Sequence, residues 1–135
     1  MDKDSFFESE LYLILEKLNG TVLDNNQIKE KYNLDNIDYY IITDDAHIFI
    51  KYKWYDKDIS RKVLEKYLED CNKINDKSLK LVINNFNIDY SSKDLQIISE
   101  KSFYQTLKKV DDLIYNYKRN IFFSNIQYPV LNYIK

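Results

Sequence analysis

Lys51, Lys53, Lys57, Arg61, Lys62 and Lys66 form the densest run of cationic side chains in the sequence. Side chains of this type contact nucleic-acid phosphates, and such contacts weaken steeply with salt. Residues two apart on a strand share one face, so Lys51 and Lys53 would point the same way. Asp56, Asp58 and Glu65 partly offset the cluster, and a solvated face of mixed charge is its plainer role. Other reactive types are sparse. His47 has no acid and nucleophile partners in its sequence neighbourhood and reads as structural. Cys71 lies on an apolar stripe at helical spacing and reads as core. With one Cys and one His, a structural zinc site is out of reach. A single glycine cannot build a Gly-rich phosphate loop. No cofactor is expected.

The composition frames these residues. Apolar residues make up 44% and charged residues 31% of 135, the profile of one globular domain with a true core. The net charge of −2 excludes a uniformly basic nucleic-acid binder, so any such contact must be local. A lone thiol suits a reducing compartment. Met1-Asp2-Lys3-Asp4 lacks a basic-then-apolar signal region, and no apolar run approaches the roughly 18 residues of a membrane span. A cytoplasmic protein without membrane contact is expected. Ile, Lys, Asn and Tyr, all encoded by A/T-rich codons, dominate the sequence, which suggests an AT-rich genome.

The elements that must position these side chains follow from periodicity and capping. Ser5 and Glu8 fit a capping box ahead of a helix carrying Phe7, Leu11, Ile14, Leu15 and Leu18. Gly20 is expected to end that helix at positive φ. Asp24 and Gln27 repeat the capping pattern for a short helix near 25–32. Residues 37–43 and 46–54 read as a β-hairpin turning at Asp44-Asp45. Ile48, Ile50, Tyr52 and Trp54 lie on one face of its second strand, with His47, Phe49, Lys51 and Lys53 on the other. Ser60 caps a helix to Ile74 with Val63, Leu64, Tyr67, Leu68 and Cys71 as its stripe. Residues 79–84 read as a buried strand, 85–92 as a loop, 95–98 as a short strand and 102–118 as a last helix. The segment 119–135 reads as an irregular aromatic tail containing Pro129. A hairpin followed by a strand–helix–strand crossover predicts an α/β fold, a small mixed sheet flanked by helices. Tyr128, Val130, Leu131, Tyr133 and Ile134 crowd the tail. A tail frays unless covered, and aromatic residues anchor interfaces.

From Phe6 to about Leu107, this order resembles the restriction-endonuclease-like fold, including the Mrr-type nucleases. Such nucleases place one acid at the start of the first hairpin strand. A second acid and a lysine stand two apart on the next strand, with a helical glutamate sometimes nearby. The acids hold Mg²⁺, which polarises a phosphoryl oxygen and activates water. The resemblance puts Glu8 at the helical acid, Asp38 at the first strand acid and Lys53 at the lysine. The second acid position holds Lys51. An ammonium there sets like charge against a divalent cation, and Asp38 with a distant Glu8 is a poor Mg²⁺ site. The catalytic set is therefore expected to be degenerate, with a divergent Mrr-like DNA endonuclease as the alternative.

The sequence also resembles the jaw subunit shared by the eukaryotic nuclear RNA polymerases, whose N-terminal domain belongs to this fold class. Gly20-Thr21-Val22-Leu23-Asp24, Leu81-Val82-Ile83 and Leu95-Gln96-Ile97-Ile98-Ser99-Glu100-Lys101 follow that family's order. So do Leu113, Tyr117-Lys118, Ile126-Gln127, Pro129-Val130 and Tyr133, at slightly shorter spacing. The chain ends where the family's C-terminal assembly domain would open. The resemblance implies a jaw domain over 1–118 and a docking tail over 119–135. It implies a non-catalytic subunit that binds the RNA polymerase large subunit through Ile126, Tyr128, Pro129, Val130 and Tyr133, near downstream DNA. A compact polymerase of a virus or a yeast cytoplasmic linear plasmid would suit a subunit this short. A catalytically dead nuclease-fold interaction module is a further alternative.

Overall fold

The computed structural model describes residues 3–53, 59–84 and 91–134, with side chains over 5–52, 59–84 and 91–124. Its elements run α1 (Lys3–Glu16), β1 (Thr21–Asp24), α2 (Asn25–Tyr32), β2 (Tyr39–Ile42), β3 (His47–Lys53), α3 (Arg61–Ile74), β4 (Leu79–Asn84), β5 (Gln96–Ile98) and α4 (Phe103–Ile134). The strands form one sheet in the order β1-β2-β3-β4-β5. β1, β2 and β3 are antiparallel neighbours, whereas β3, β4 and β5 run parallel. The expected mixed sheet flanked by helices is thus present, one strand wider than the hairpin and crossover required.

Alternation along the strands sends side chains to two separate cores. Tyr39, Ile41, Ile48, Ile50, Leu81 and Ile83 pack with Phe7, Leu11 and Leu15 of α1 and Val110 and Ile114 of α4. Tyr40, Phe49 and Val82 pack with Ile28 of α2 and Leu64, Tyr67 and Cys71 of α3. With both faces covered, every residue of β4 is buried, which explains its apolar run Leu81-Val82-Ile83. Polar groups drawn into the second core find partners. The Tyr67 hydroxyl donates to the Leu81 carbonyl at 2.8 Å. Asn36 Nδ2 donates to Asp70 Oδ2 at 2.8 Å, and Lys80 Nζ donates to the Asp76 carbonyl at 3.0 Å. His47 Nδ1 and the Tyr40 hydroxyl share a hydrogen bond of 2.7 Å, so this histidine is structural. Cys71 is fully buried, as its stripe predicted.

Two caps follow the predicted chemistry. Asp24 and Gln27 form a reciprocal capping box on α2, and the Ser60 hydroxyl accepts from the Val63 N–H at the start of α3. Three expectations are corrected, and one element that was not anticipated, the third below, is added. First, α1 begins at Lys3, so Ser5 lies inside the helix, where its carbonyl accepts from the Ser9 hydroxyl. Second, Asn19 takes the left-handed conformation after α1, with φ of 54°, and Gly20 has no positive φ. Gly20 is instead required by closeness. A Cβ there would stand 2.4 Å from the Ile42 carbonyl oxygen, because the chain enters β1 directly against β2. Third, Thr21–Asp24 is a strand, paired with Tyr39–Ile42. Fourth, the segment after residue 118 is helical to Ile134. Between Phe103 and Tyr128 no Gly or Pro interrupts the i→i−4 ladder. Trp54, Lys57 and most of the expected 85–92 loop lie outside the described residues.

Gly20→Ala is expected to lower stability by about 1–3 kcal/mol through overpacking, whereas Asn19→Gly costs little; urea midpoints of the two variants check this. Burial also pushes the Tyr40 hydroxyl up to about 12 and raises the Tyr67 phenol and Cys71 thiol. The unfolded chain releases these protons at about 8.5 for the thiol and about 10 for the phenols. The folded state keeps them, so stability is full below about pH 8.5 and falls as pH climbs through and beyond 10. Tyr67→Phe should cost about 1 kcal/mol at neutral pH and make the alkaline decline in thermal midpoint shallower.

Candidate functional site

One end of the sheet gathers the C-terminal ends of β1 and β3 and the residue that precedes β2. Here Glu8 and Tyr12 of α1, Asp24, Asn25 and Asn26, Asp38, Tyr39 and Tyr52 line a pocket of about 470 Å³. The antiparallel register sets Asp24 opposite Tyr39 and Tyr39 opposite Ile50. Thus Asp24 and Asp38 approach from neighbouring strands while α1 lays Glu8 across them. The fold therefore brings together the two acids anticipated from sequence, Glu8 and Asp38. It adds a third, Asp24, that sequence reasoning missed because β1 was not foreseen; the Thr-Val-Leu run before the α2 cap was the available signal.

Each carboxylate already holds an element. Glu8 Oε1 accepts from the Tyr39 hydroxyl at 2.5 Å, tying α1 to β2. Asp38 Oδ2 accepts from the Tyr52 backbone N–H at 2.8 Å, fastening the start of β2 to β3, and the Asp38 N–H donates to the Ile50 carbonyl. Asp24 Oδ1 accepts from the Gln27 N–H at 2.9 Å, capping α2. The negative potential of the cluster is felt by Tyr39, a buried residue. Its phenol is raised far above the ordinary value by burial first, then by the hydrogen bond to Glu8 and the charges of Glu8, Asp38 and Asp24. It therefore stays protonated and donates at any physiological pH.

The lysines of β3 stand differently. Tyr52 packs with the α1 and α4 core while Phe49 faces α2 and α3, so alternation places Lys51 on the side opposite Tyr52. Lys51 is half-buried and does not line the carboxylate pocket. The Lys53 side chain lies outside the described residues, as does Lys57. Arg61 and Lys62 open α3 and are exposed, with Arg61 Nε 2.9 Å from Glu65 Oε1. The side chains of Ile126, Tyr128, Pro129, Val130 and Tyr133 also lie outside the described residues, although their backbone belongs to α4. Among the described residues, no three His, Cys, Asp or Glu side chains converge closely enough to hold a metal ion. No helix of the described residues is long and apolar enough to cross a membrane.

No protein family, curated protein or solved structure matches this chain.

If Asp38 serves as a clamp, the acceptor atom matters more than the charge. Asp38→Asn keeps an oxygen for the Tyr52 N–H and should retain most of the stability. Asp38→Ala leaves that N–H unpaired and should cost about 1–3 kcal/mol. Chemical denaturation of the three proteins at pH 7 reads the order directly.

Proposed function

We propose that this chain is a non-catalytic small subunit of a DNA-dependent RNA polymerase, seated on the large subunit near downstream DNA. The observation that carries the reading is the state of the acidic pocket. In the restriction-endonuclease-like scheme that the element order resembles, the strand position two before the lysine supplies a metal ligand. Here that position is Lys51, turned away from Glu8, Asp24 and Asp38. Those three carboxylates hold α1, α2 and β3 in place. A nuclease-like frame without a working metal site is what the jaw-subunit resemblance implies. The helical course of α4 beyond residue 118 gives Ile126, Tyr128, Pro129, Val130 and Tyr133 a scaffold for docking.

A second reading, a divergent Mrr-like DNA endonuclease, draws support from the meeting of Glu8, Asp24 and Asp38 at one pocket. Magnesium-dependent cleavage of duplex DNA by the purified chain, abolished by Asp38→Ala but not by Lys51→Ala, would favour it over the subunit reading.

Among the described residues, α4 packs on the core through Val110, Ile114 and Tyr117, so a chain lacking residues 126–135 should remain folded. It should lose co-purification with a polymerase large subunit from the native source, with the partner identified by mass spectrometry. A different partner would point instead to a nuclease-fold interaction module, and undiminished assembly would overturn the docking role.

A further inference from the structure

A second groove lies away from the acidic pocket, where the last turn of α1 meets the middle of α4. Ile14 from α1 and Leu18 just beyond it, with Ile114, Tyr115 and Phe122 from α4, line an opening of about 510 Å³. Ile114 is buried at its base, while Tyr115 and Phe122 are 65% and 56% exposed along its wall. Lys17, Lys118 and Arg119 line the same groove against one acid, Asp111. None of these three cations is held by a carboxylate among the described residues. The Arg119 guanidinium sits 6.0 Å over the Tyr115 ring, which positions it at the rim.

The charge here runs against that of the chain. Net charge is −2, yet from Leu113 to Lys135 there is no Asp or Glu. A second copy presenting its own α4 would bring cations to cations. The aliphatic floor of Ile14, Leu18 and Ile114 suits interdigitating side chains better than stacked bases, and Asp111 disfavours phosphates. An exposed apolar groove of this kind accepts an amphipathic helix through residues at i, i+3, i+4 and i+7, and the cationic rim selects acidic flanks.

We infer that the α1–α4 groove is a docking site for an acidic amphipathic helix of a partner protein. The site is separate from the 126–135 segment and does not depend on the partner being a polymerase.

The test uses the full chain and a fluorescein-labelled synthetic helix with leucines at i, i+3, i+4 and i+7 and glutamates at the flanking positions. A control peptide carries lysines in place of the glutamates. Fluorescence anisotropy should show binding of the acidic peptide alone, weakening as salt screens the rim. Phe122→Ala, an exposed position, should weaken it about tenfold or more, as should Lys17→Glu combined with Arg119→Glu. Circular dichroism checks that the variants remain folded. Equal binding of both peptides, or of neither at millimolar concentration, would overturn the inference. So would tighter binding of a labelled single-stranded oligonucleotide that Arg119→Glu abolishes, or a dimer in sedimentation that Phe122→Ala dissolves.

Discussion

Burial of the sheet on both faces is the constraint from which the rest of the structure follows. β3 and β4 have helices above and below, so their side chains must be apolar on both sides or carry their own partners. Ile48, Phe49 and Ile50 meet the first demand. The second is met by Lys80 of β4, whose Nζ donates to the Asp76 carbonyl. Because the interior is filled in this way, groups free to interact must lie at the sheet ends or on the outer helix faces. The acidic pocket occupies one such end, and the α1–α4 groove occupies one such outer face.

That placement explains the double character of the acidic residues. At the end of a sheet, backbone N–H groups and helix starts need acceptors, and carboxylates are strong ones. Asp24 and Asp38 supply them, Glu8 accepts from the Tyr39 hydroxyl, and the shared charge keeps that phenol in its donating form. The same closeness that helps the fold resembles a catalytic constellation when viewed by residue type alone. What separates the two is the direction of each lone pair, and here one oxygen of each carboxylate is aimed at a framework donor.

Elements governed by local chemistry were legible in the sequence. The caps at Asp24 and Ser60 and the apolar stripe of α3 depend on neighbours within a few residues. β4 announced itself by the apolar run Leu81-Val82-Ile83, despite Lys80 before it. β1 did not, because four residues at a sheet edge become a strand only through pairing with Tyr39–Ile42, a long-range fact. Pro129 argued for a break that the backbone does not make. Gly20 was recognised as necessary, but for the wrong reason. Its role depends on a carbonyl in another strand, Ile42, which no local pattern reveals. In the site, Glu8 and Asp38 were foreseen and the alternation of Lys51 against Tyr52 was visible. Which of those two faces meets α1 required the packed structure.

The length of α4 has a geometric consequence. Among the described residues its core contacts reach Tyr117, while its backbone runs on as a helix to Ile134. Each residue adds about 1.5 Å of reach and about 100° of azimuth. Adding or removing one residue between Tyr117 and Pro129 would therefore swing whatever the outer turns hold to another side of the molecule while barely changing its distance. Evolution can thus re-aim the outer turns of α4 by indels that leave the core contacts of Val110, Ile114 and Tyr117 untouched.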